Sequence, residues 1–349
     1  MKNKLKIAVI GCGRVSRTAH YNAINDNPDY EFVAVCDKDI KRAEKSAKAN
    51  NVKCYNNVEE LLEKEQLDVV SINVPNGLHH KIGTVAAKKR LHLICEKPLS
   101  IGVDEADDLI DICEANGVEL FTILQNRYNK TSKLLKKAID KGRFGRLHSA
   151  NVTLRWRRSI NYYMEDRKWR SRRDLAGGAF TNQGVHYIDM LQWLVGSPPE
   201  TVYAKLGSGH PVDVETYGNA IIKFKNGVIS SLEMSNLTYP EDLEGSITFM
   251  GEKGTVKIGG IAVNKIVYWK FSDSDPDDEL INEAETSPPT VYGFGHIDFY
   301  KRVANYLLHG KNESLIIDGR EGRKSVAILE AIYLSDKLGK EIHFPIGKR

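Results

Sequence analysis

Three stretches of this sequence place chemically useful residue types at useful spacings. The first, Gly11-Cys-Gly13-Arg14-Val15-Ser16, directly follows an apolar run and opens an amphipathic one. A tight strand-to-helix turn needs Gly11, and Gly13 lets the backbone approach a pyrophosphate lying on the helix N-terminus. Ser16 stands where the usual fingerprint has a third glycine, and it is still small enough for close helix–sheet packing. Asp37 ends the next apolar run, 24 residues beyond Gly13, close to the spacing of a ribose-binding acid. A purely structural turn with a helix cap at Asp37 would use the same residues. An acid there repels a 2′-phosphate, so the expected dinucleotide is NAD rather than NADP, a preference that nearby Lys38 and Arg42 temper.

The second stretch is a pair of segments at the carboxyl ends of apolar runs, Val74-Pro75-Asn76-Gly-Leu-His79 and Cys95-Glu96-Lys97-Pro98. Open α/β sheets bind ligands at such ends. Lys97 between a glutamate and a proline reads either as a site residue or as half of a surface Glu–Lys pair. The third is Gly177-Gly178-Ala-Phe-Thr-Asn182-Gln183-Gly-Val-His186-Tyr-Ile-Asp189. On a helix, Asn182, His186 and Asp189 follow one another by a turn on one face. Beside Met190, Leu191, Trp193 and Leu194 they read as a site wall, the alternative being a core histidine satisfied by its neighbours. No second histidine or acid has metal-ligand spacing here, so no metal site is expected.

These residues need a scaffold, and the first third of the chain supplies an alternating one. Lys6–Ile10, Glu31–Cys36, Asp68–Asn73, Leu91–Cys95 and Glu119–Ile123 read as buried strands of a parallel sheet. Between them Ile40–Asn50, Val58–Glu65, His79–Lys89 and Val103–Asn116 have helical spacing, with Gly117 as a C-terminal cap. The rhythm predicts a doubly wound α/β Rossmann domain over residues 1–124. From about residue 147 longer alternating strands predict a mostly antiparallel, open-faced sheet carrying a few helices, an α+β domain spanning 125–349. Asn226-Gly227 between two alternating runs is a strong hairpin signal. Gly251–Gly254 joins two more strands, Val263–Phe271 continues the pattern, and Arg320–Leu338 and Glu341–Pro345 read as a closing helix and strand. Asp273, Asp275, Asp277, Asp278 and Glu279 around Pro276 read as a solvated loop.

Composition excludes several classes. The 349 residues are 41% hydrophobic and 28% charged, and 50 Lys and Arg against 46 Asp and Glu leave a net charge of only +4. That is ordinary for a globular chain and too small an excess to argue for nucleic acid or membrane binding. No apolar run approaches the roughly 20 residues of a membrane span, and the start carries no cleavage signal, so a cytoplasmic location is expected. Cys12, Cys36, Cys54, Cys95 and Cys113 are odd in number and form no C-x-x-C pair, which reads as structural thiols. Arg155, Arg157, Arg158, Arg167, Lys168, Arg170, Arg172 and Arg173 outnumber Glu165 and Asp166 and are interleaved with Trp156, Tyr162, Tyr163 and Trp169. Guanidinium groups there could hold an acidic ligand, and the rings could stack on a base or cofactor. A subunit contact or single-stranded nucleic acid would suit the same composition.

Taken together, Gly11-x-Gly13, Glu96-Lys97-Pro98 and Gly177-Gly178-x3-Asn182-x3-His186-x2-Asp189 resemble the Gfo/Idh/MocA oxidoreductase family over essentially the whole chain. The resemblance implies that Lys97 and His186 contact the sugar hydroxyl being oxidised, with either as general base. Many members have Asp where Asn182 stands, which weakens any proton relay through that position. It further implies cofactor contacts from Gly11, Gly13, Arg14, Val15, Asp37, Asn73, Pro75, Asn76, His79, Glu96, Lys97, Trp169 and Arg170. Substrate contacts are implied for Gln125, Arg127, Asn129, Arg158, Tyr163, Gln183, His186, Tyr239 and Tyr292. Gln125–Asn129, Arg155–Arg158, Leu237–Gly245 and Val291–His296 are most similar to the WlbA-type branch. That branch oxidises C3 of UDP-N-acetyl-2-amino-2-deoxyglucuronate with NAD, ahead of an aminotransferase, for surface polysaccharide such as lipopolysaccharide. The expected partners are thus a UDP-sugar uronate, an aminotransferase, and further copies of the chain in a dimer or tetramer through the open sheet face. A dehydrogenase of a free polyol or simple sugar and a non-catalytic NAD sensor are the competing readings.

Overall fold

The computed structural model describes residues 4–288, 292–310 and 316–348. Val291 of the motif that ends at His296 lies outside them. The chain forms two compact units, the first made of residues 1–124 and Gly295–Arg323, the second of Gln125–Phe294 and residues from Lys324 on.

In the first unit the strands are β1 (Leu5–Ile10), β2 (Tyr30–Cys36), β3 (Lys53–Tyr55), β4 (Val69–Ile72), β5 (His92–Cys95) and β6 (Leu120–Thr122). They lie in the order β3-β2-β1-β4-β5-β6, every pair parallel. The order reverses at β1, and ligands of such sheets bind at that reversal, beyond the carboxyl ends of the strands. The register aligns those ends: Ile10 faces Cys36 and Ile72, and Ile72 faces Cys95. Gly11, Asp37, Asn73 and Glu96, one residue further on in each strand, are thereby brought into one row. The near-continuous apolar character of β1 and β4 follows from burial on both faces, with Ile7, Ala8, Val69 and Val70 fully buried.

Two features of this unit depart from the sequence pattern. β3 is a three-residue edge strand, too short to show a period. The helix Gly295–His309 also belongs to this unit, although it follows the second unit in the chain. Its buried face, with His296, Phe299, Tyr300 and Val303, supplies groups to the strand ends described below. The buried ion pair of Arg323 with Asp107, at 2.7 Å, holds the start of the long helix Gly319–Leu338 to the same unit.

The second unit is built on an eight-stranded sheet of β7 (Leu147–Arg155), β8 (Pro199–Gly207), β9 (Tyr217–Phe224), β10 (Ile229–Ser235), β11 (Glu244–Gly251), β12 (Gly254–Gly259), β13 (Lys265–Phe271) and β14 (Ile342–His343). Its order is β13-β12-β11-β7-β10-β9-β8-β14, with β7–β10 the parallel pair and the rest antiparallel. β9 and β10 form the hairpin expected around Asn226-Gly227. One sheet face packs on the helix Val185–Val195 and on Ile328, Leu329 and Ile332 of the C-terminal helix in a single apolar core. Along β9 the burial alternates strictly, so the other face presents Tyr217 and Ile221 to solvent, next to Tyr203 and Ile229.

The acidic stretch is not a solvated loop. Asp275 caps a short helical turn over Pro276–Leu280 in a capping box with Asp278. Lys137 and Lys141 reach Asp277, and Arg143 reaches Asp278 at 2.6 Å. The acids were placed by partners more than 130 residues away, which local composition does not reveal. All five cysteines are free, and no helix among the described residues is long and apolar enough to cross a membrane.

Candidate active site

In the first unit the row of strand ends is a connected polar network. Gly11 has φ +101°, and a Cβ there would lie 2.4 Å from the Asn73 carbonyl oxygen, so only glycine fits. Gly13 is the opposite case, since a Cβ there would meet nothing within 4 Å. Asp37 holds the loop: its Oδ2 accepts the Cys12 N–H at 2.8 Å and its Oδ1 the Asp39 N–H at 2.8 Å. Each carboxylate oxygen keeps a second lone pair for a ribose hydroxyl. The Ser16 hydroxyl donates to the Gly11 carbonyl, and Asn73 Nδ2 donates to Ser16 Oγ. A glycine loop with open space above Gly13, an adjacent helix N-terminus and an acid on the second strand fits a dinucleotide.

Glu96 is buried at the centre of the next layer. Its Oε1 lies 3.0 Å from His20 Nε2 and 3.4 Å from His296 Nε2, and its Oε2 accepts the Lys97 N–H at 3.1 Å. Burial alone would raise the Glu96 carboxyl, but the two histidines outweigh it and hold Glu96 well below the usual carboxylate range. Burial lowers His20, which stays neutral and gives its Nε2–H to Glu96. His20 Nδ1 then accepts from the Tyr300 hydroxyl at 2.8 Å, and that oxygen accepts from Ser71 at 2.7 Å. Hydrogen bonds therefore fix the backbone on which Lys97 stands. His20, Glu96 and His296 form the one cluster of metal-ligating types found among the described residues, and Nε2–H···O contacts account for its geometry. His79 is also buried, with Nδ1 2.8 Å from the Pro98 carbonyl and Nε2 3.0 Å from the Val74 carbonyl; burial lowers it, and as a neutral ring it donates to one of the two. It braces the two strand-end segments against each other. Asn73 and Asn76 are buried, Pro75, Val15 and Lys97 half-buried, and Arg14 exposed.

In the second unit the glycine pair leads into a wide π-turn, Phe180–Gly184, and then the helix Val185–Val195. Asn182 lies in the wide turn and His186 in the first turn of the helix, both half-buried. The Tyr162 hydroxyl accepts from Asn182 Nδ2 at 3.1 Å and from Gln183 Nε2 at 2.6 Å. The guanidinium groups of Arg158 and Arg170 lie 5.7 and 4.9 Å from the centre of the Tyr162 ring. Arg170 also stacks on Trp169, in a turn where Asp166, Arg167 and Lys168 all have positive φ. Asn236 Nδ2 donates to Tyr163 and to Gln183 Oε1. Arg158, Tyr163, Trp169, Arg170, Asn182 and Gln183 are thus drawn together around Tyr162 and Asn236.

Other expected contacts are committed elsewhere in this unit. Asp189 leaves the wall for a buried bidentate pair with Arg127, at 2.6 and 2.9 Å. Asn129 donates to the Ala262 carbonyl, and Tyr239 is 83% exposed under the Arg157 guanidinium. Tyr292 is half-buried. Gln125 is buried, with an Oε1 that has no hydrogen-bond partner among the described residues. Of the eight bases in the cationic segment, Arg155, Arg158 and Arg172 are paired with Glu233, Asp242 and Asp174. The groups missed in the sequence are His20, Ser71, Tyr300, Asn236 and Glu215. Their partners lie far off in the chain, as Glu96 does from His20 and Tyr333 from Glu215, and no local spacing rule marks them.

Known proteins match this arrangement. Residues 5–123 match the model of the oxidoreductase-family NAD-binding Rossmann fold, and residues 132–257 match that of the GFO/IDH/MocA C-terminal domain. The structure of the WlbA dehydrogenase from Bordetella pertussis, in complex with NADH and UDP-GlcNAcA, is 38% identical with a TM-score of 0.94 and covers 99% of both chains. The WlbA structure from Chromobacterium violaceum, with the same two ligands, is 34% identical with a TM-score of 0.92, covering 99% of this chain and 97% of its own. Glucose-6-phosphate 3-dehydrogenase of Bacillus subtilis is 27% identical over 347 residues, covering 95% of this chain and 96% of its own. The chain belongs to the Gfo/Idh/MocA family of oxidoreductases and is an NAD-dependent dehydrogenase.

Proposed function

We propose that the chain oxidises the C3 hydroxyl of UDP-N-acetyl-2-amino-2-deoxyglucuronate to the 3-keto sugar. The observation that carries this reading is the full-length likeness, at 38% identity, to a dehydrogenase solved with NADH and UDP-GlcNAcA. The wall of Arg158, Arg170, Trp169 and Tyr162 agrees in chemistry, offering guanidinium groups and ring faces to a diphosphate, a uronate and a base. The name of the B. subtilis relative also places oxidation at position 3 of a hexose.

On this reading the first unit holds NAD, which supplies the hydride acceptor, and the second holds the sugar nucleotide. Gly11, Gly13, Asp37 and Asn73 hold the dinucleotide; Gln125, Gln183 and His186 face the sugar. Lys97 and His186 attend the hydroxyl: one takes its proton as the other stabilises the developing oxyanion. Asn182 cannot exchange a proton, so it orients through Tyr162 rather than relaying. Copies of the chain meet through the open sheet face of Tyr203, Tyr217, Ile221 and Ile229. The product ketone is consumed by an aminotransferase, in cytoplasmic assembly of surface polysaccharide.

The test is NADH absorbance on mixing protein, NAD and UDP-N-acetylglucosaminuronic acid, with the aminotransferase drawing off the ketone. NADH formation is expected. Turnover of free inositol or glucose instead would move the reading to a polyol dehydrogenase, and NAD binding without turnover of any sugar to a sensor. Lys97→Met and His186→Ala should each lower kcat about 10²–10⁴-fold. Near-normal turnover in both would sink the site assignment.

A further inference from the structure

Glu215, in the loop before β9, takes no part in the chemistry above, yet it is almost wholly buried beneath the glycine pair. Its main-chain carbonyl accepts the Ala179 N–H at 3.2 Å, and its side-chain Oε1 accepts the Phe180 N–H at 3.0 Å. The Tyr333 hydroxyl donates to the same Oε1 at 2.8 Å and lies 2.8 Å from Thr181 Oγ1. A Cβ on Gly178 would stand 1.9 Å from Glu215 Oε2, so the second glycine of the motif is there to admit this carboxylate. One side chain therefore grips the first residues of the segment that carries Asn182, Gln183 and His186.

We propose that Glu215 is a positioning residue of the reaction, clamping the start of the Phe180–Val195 segment so that Asn182, Gln183 and His186 keep their places. This rests on the reading that these residues bind the reacting sugar. The clamp depends on pH. Burial pushes the Glu215 carboxyl up to about 7, against the Phe180 N–H and the Tyr333 hydroxyl, which favour its charge. The titratable and charged groups facing it are Tyr333 from the C-terminal helix, Arg173 from the short helix before the glycines, and Tyr163 from the helix Ile160–Met164. An anion accepts the two hydrogen bonds more strongly than the neutral acid does, and it suits a helix N-terminus. The clamp tightens as pH rises through about 7.

The test compares the full chain with its Glu215→Gln variant, which keeps the shape and removes the charge. Two readouts are taken: the pH profile of NADH formation from UDP-N-acetylglucosaminuronic acid, and hydrogen exchange of the peptide over residues 178–192. In the native chain kcat/KM should rise through about pH 7. In the variant the part of that rise due to Glu215 should be missing, leaving only the rise set by the general base, with kcat/KM about tenfold lower at pH 8 and KM for NAD unchanged. Exchange of the peptide at pH 8 should be about fivefold faster in the variant, and alike in both proteins at pH 5.5. Parallel pH profiles with equal exchange at both pH values would overturn the proposal. Should Glu215→Gln not fold, Tyr333→Phe removes one donor to the carboxylate and should shift the rising limb to higher pH; an unmoved limb overturns the proposal equally. A native chain that forms no NADH while the exchange difference persists would remove the substrate reading and leave the clamp standing.

Discussion

Gly11 and Gly13 are two residues apart in one motif, and the structure separates what each is for. Gly11 is bound by the fold, since a methyl group would meet the Asn73 carbonyl at 2.4 Å in a backbone region that L-residues rarely adopt. Gly13 faces open space. Gly11→Ala should therefore destabilise the chain by about 1–3 kcal/mol, seen as a lower urea midpoint. Gly13→Ala should leave the midpoint nearly unchanged and raise KM for NAD by tenfold or more, because its methyl occupies the space a pyrophosphate would use. Equal effects of both on the midpoint would refute this division. Both glycines and Asp37 stand where the sequence spacing put them, at the ends of β1 and β2, because a strand-to-helix turn constrains local spacing. Glu96 was legible as a motif letter only: its two histidine partners lie 76 and 200 residues away, and no spacing announces them.

At the scale of elements, polar pairs decide which segments hold each other. Arg127 and Asp189 tie the turn Gln125–Tyr128 to the helix Val185–Val195, buried and bidentate. Helical spacing alone put Asp189 on the face of Asn182 and His186, but the wide turn at Phe180–Gly184 rotates the later residues away from that alignment. Removing one partner of a buried pair strands the other, so Arg127→Met should cost about 3–5 kcal/mol. Arg127→Met with Asp189→Leu should recover most of that loss, since a packed apolar pair often equals a buried ion pair. Urea unfolding of the two single variants and the double variant measures the coupling; additive losses would mean the pair does not hold these elements together. The hairpin of β9 and β10 was legible because period-two patterning and the Asn226-Gly227 turn are local. The helix Gly295–His309 was not read from the sequence, and His296 and Tyr300 on it meet partners 200 to 280 residues earlier in the chain.

For the whole molecule, buried ionisable groups set how stability follows pH, and the two units pull in opposite directions. In the first unit burial lowers His20, His79 and His92 below their ordinary values. The unfolded chain takes up these protons below about pH 6.5 while the native chain refuses them, so their contribution is complete above that pH and is lost as pH falls. Glu96, held low by its histidines, adds a further loss below about pH 4.5. In the second unit Glu215 behaves oppositely. Its native value near 7 exceeds its unfolded value of 4.5, so its contribution is complete below 4.5 and is lost as pH rises to about 7. Between pH 5 and 6.5 two deeply buried histidines and a partly exposed third thus outweigh one carboxyl. Stability should therefore rise with pH across this range. Urea unfolding at pH 5, 6 and 7 should show that rise, and a flat or falling trend would contradict it. Glu215→Gln removes the opposing carboxyl alone, so its slope over the same range should be steeper by about one proton, and above pH 7 the variant should be the more stable protein. The native chain, on this account, keeps a buried charge that lowers its stability at neutral pH because that charge holds His186 in place.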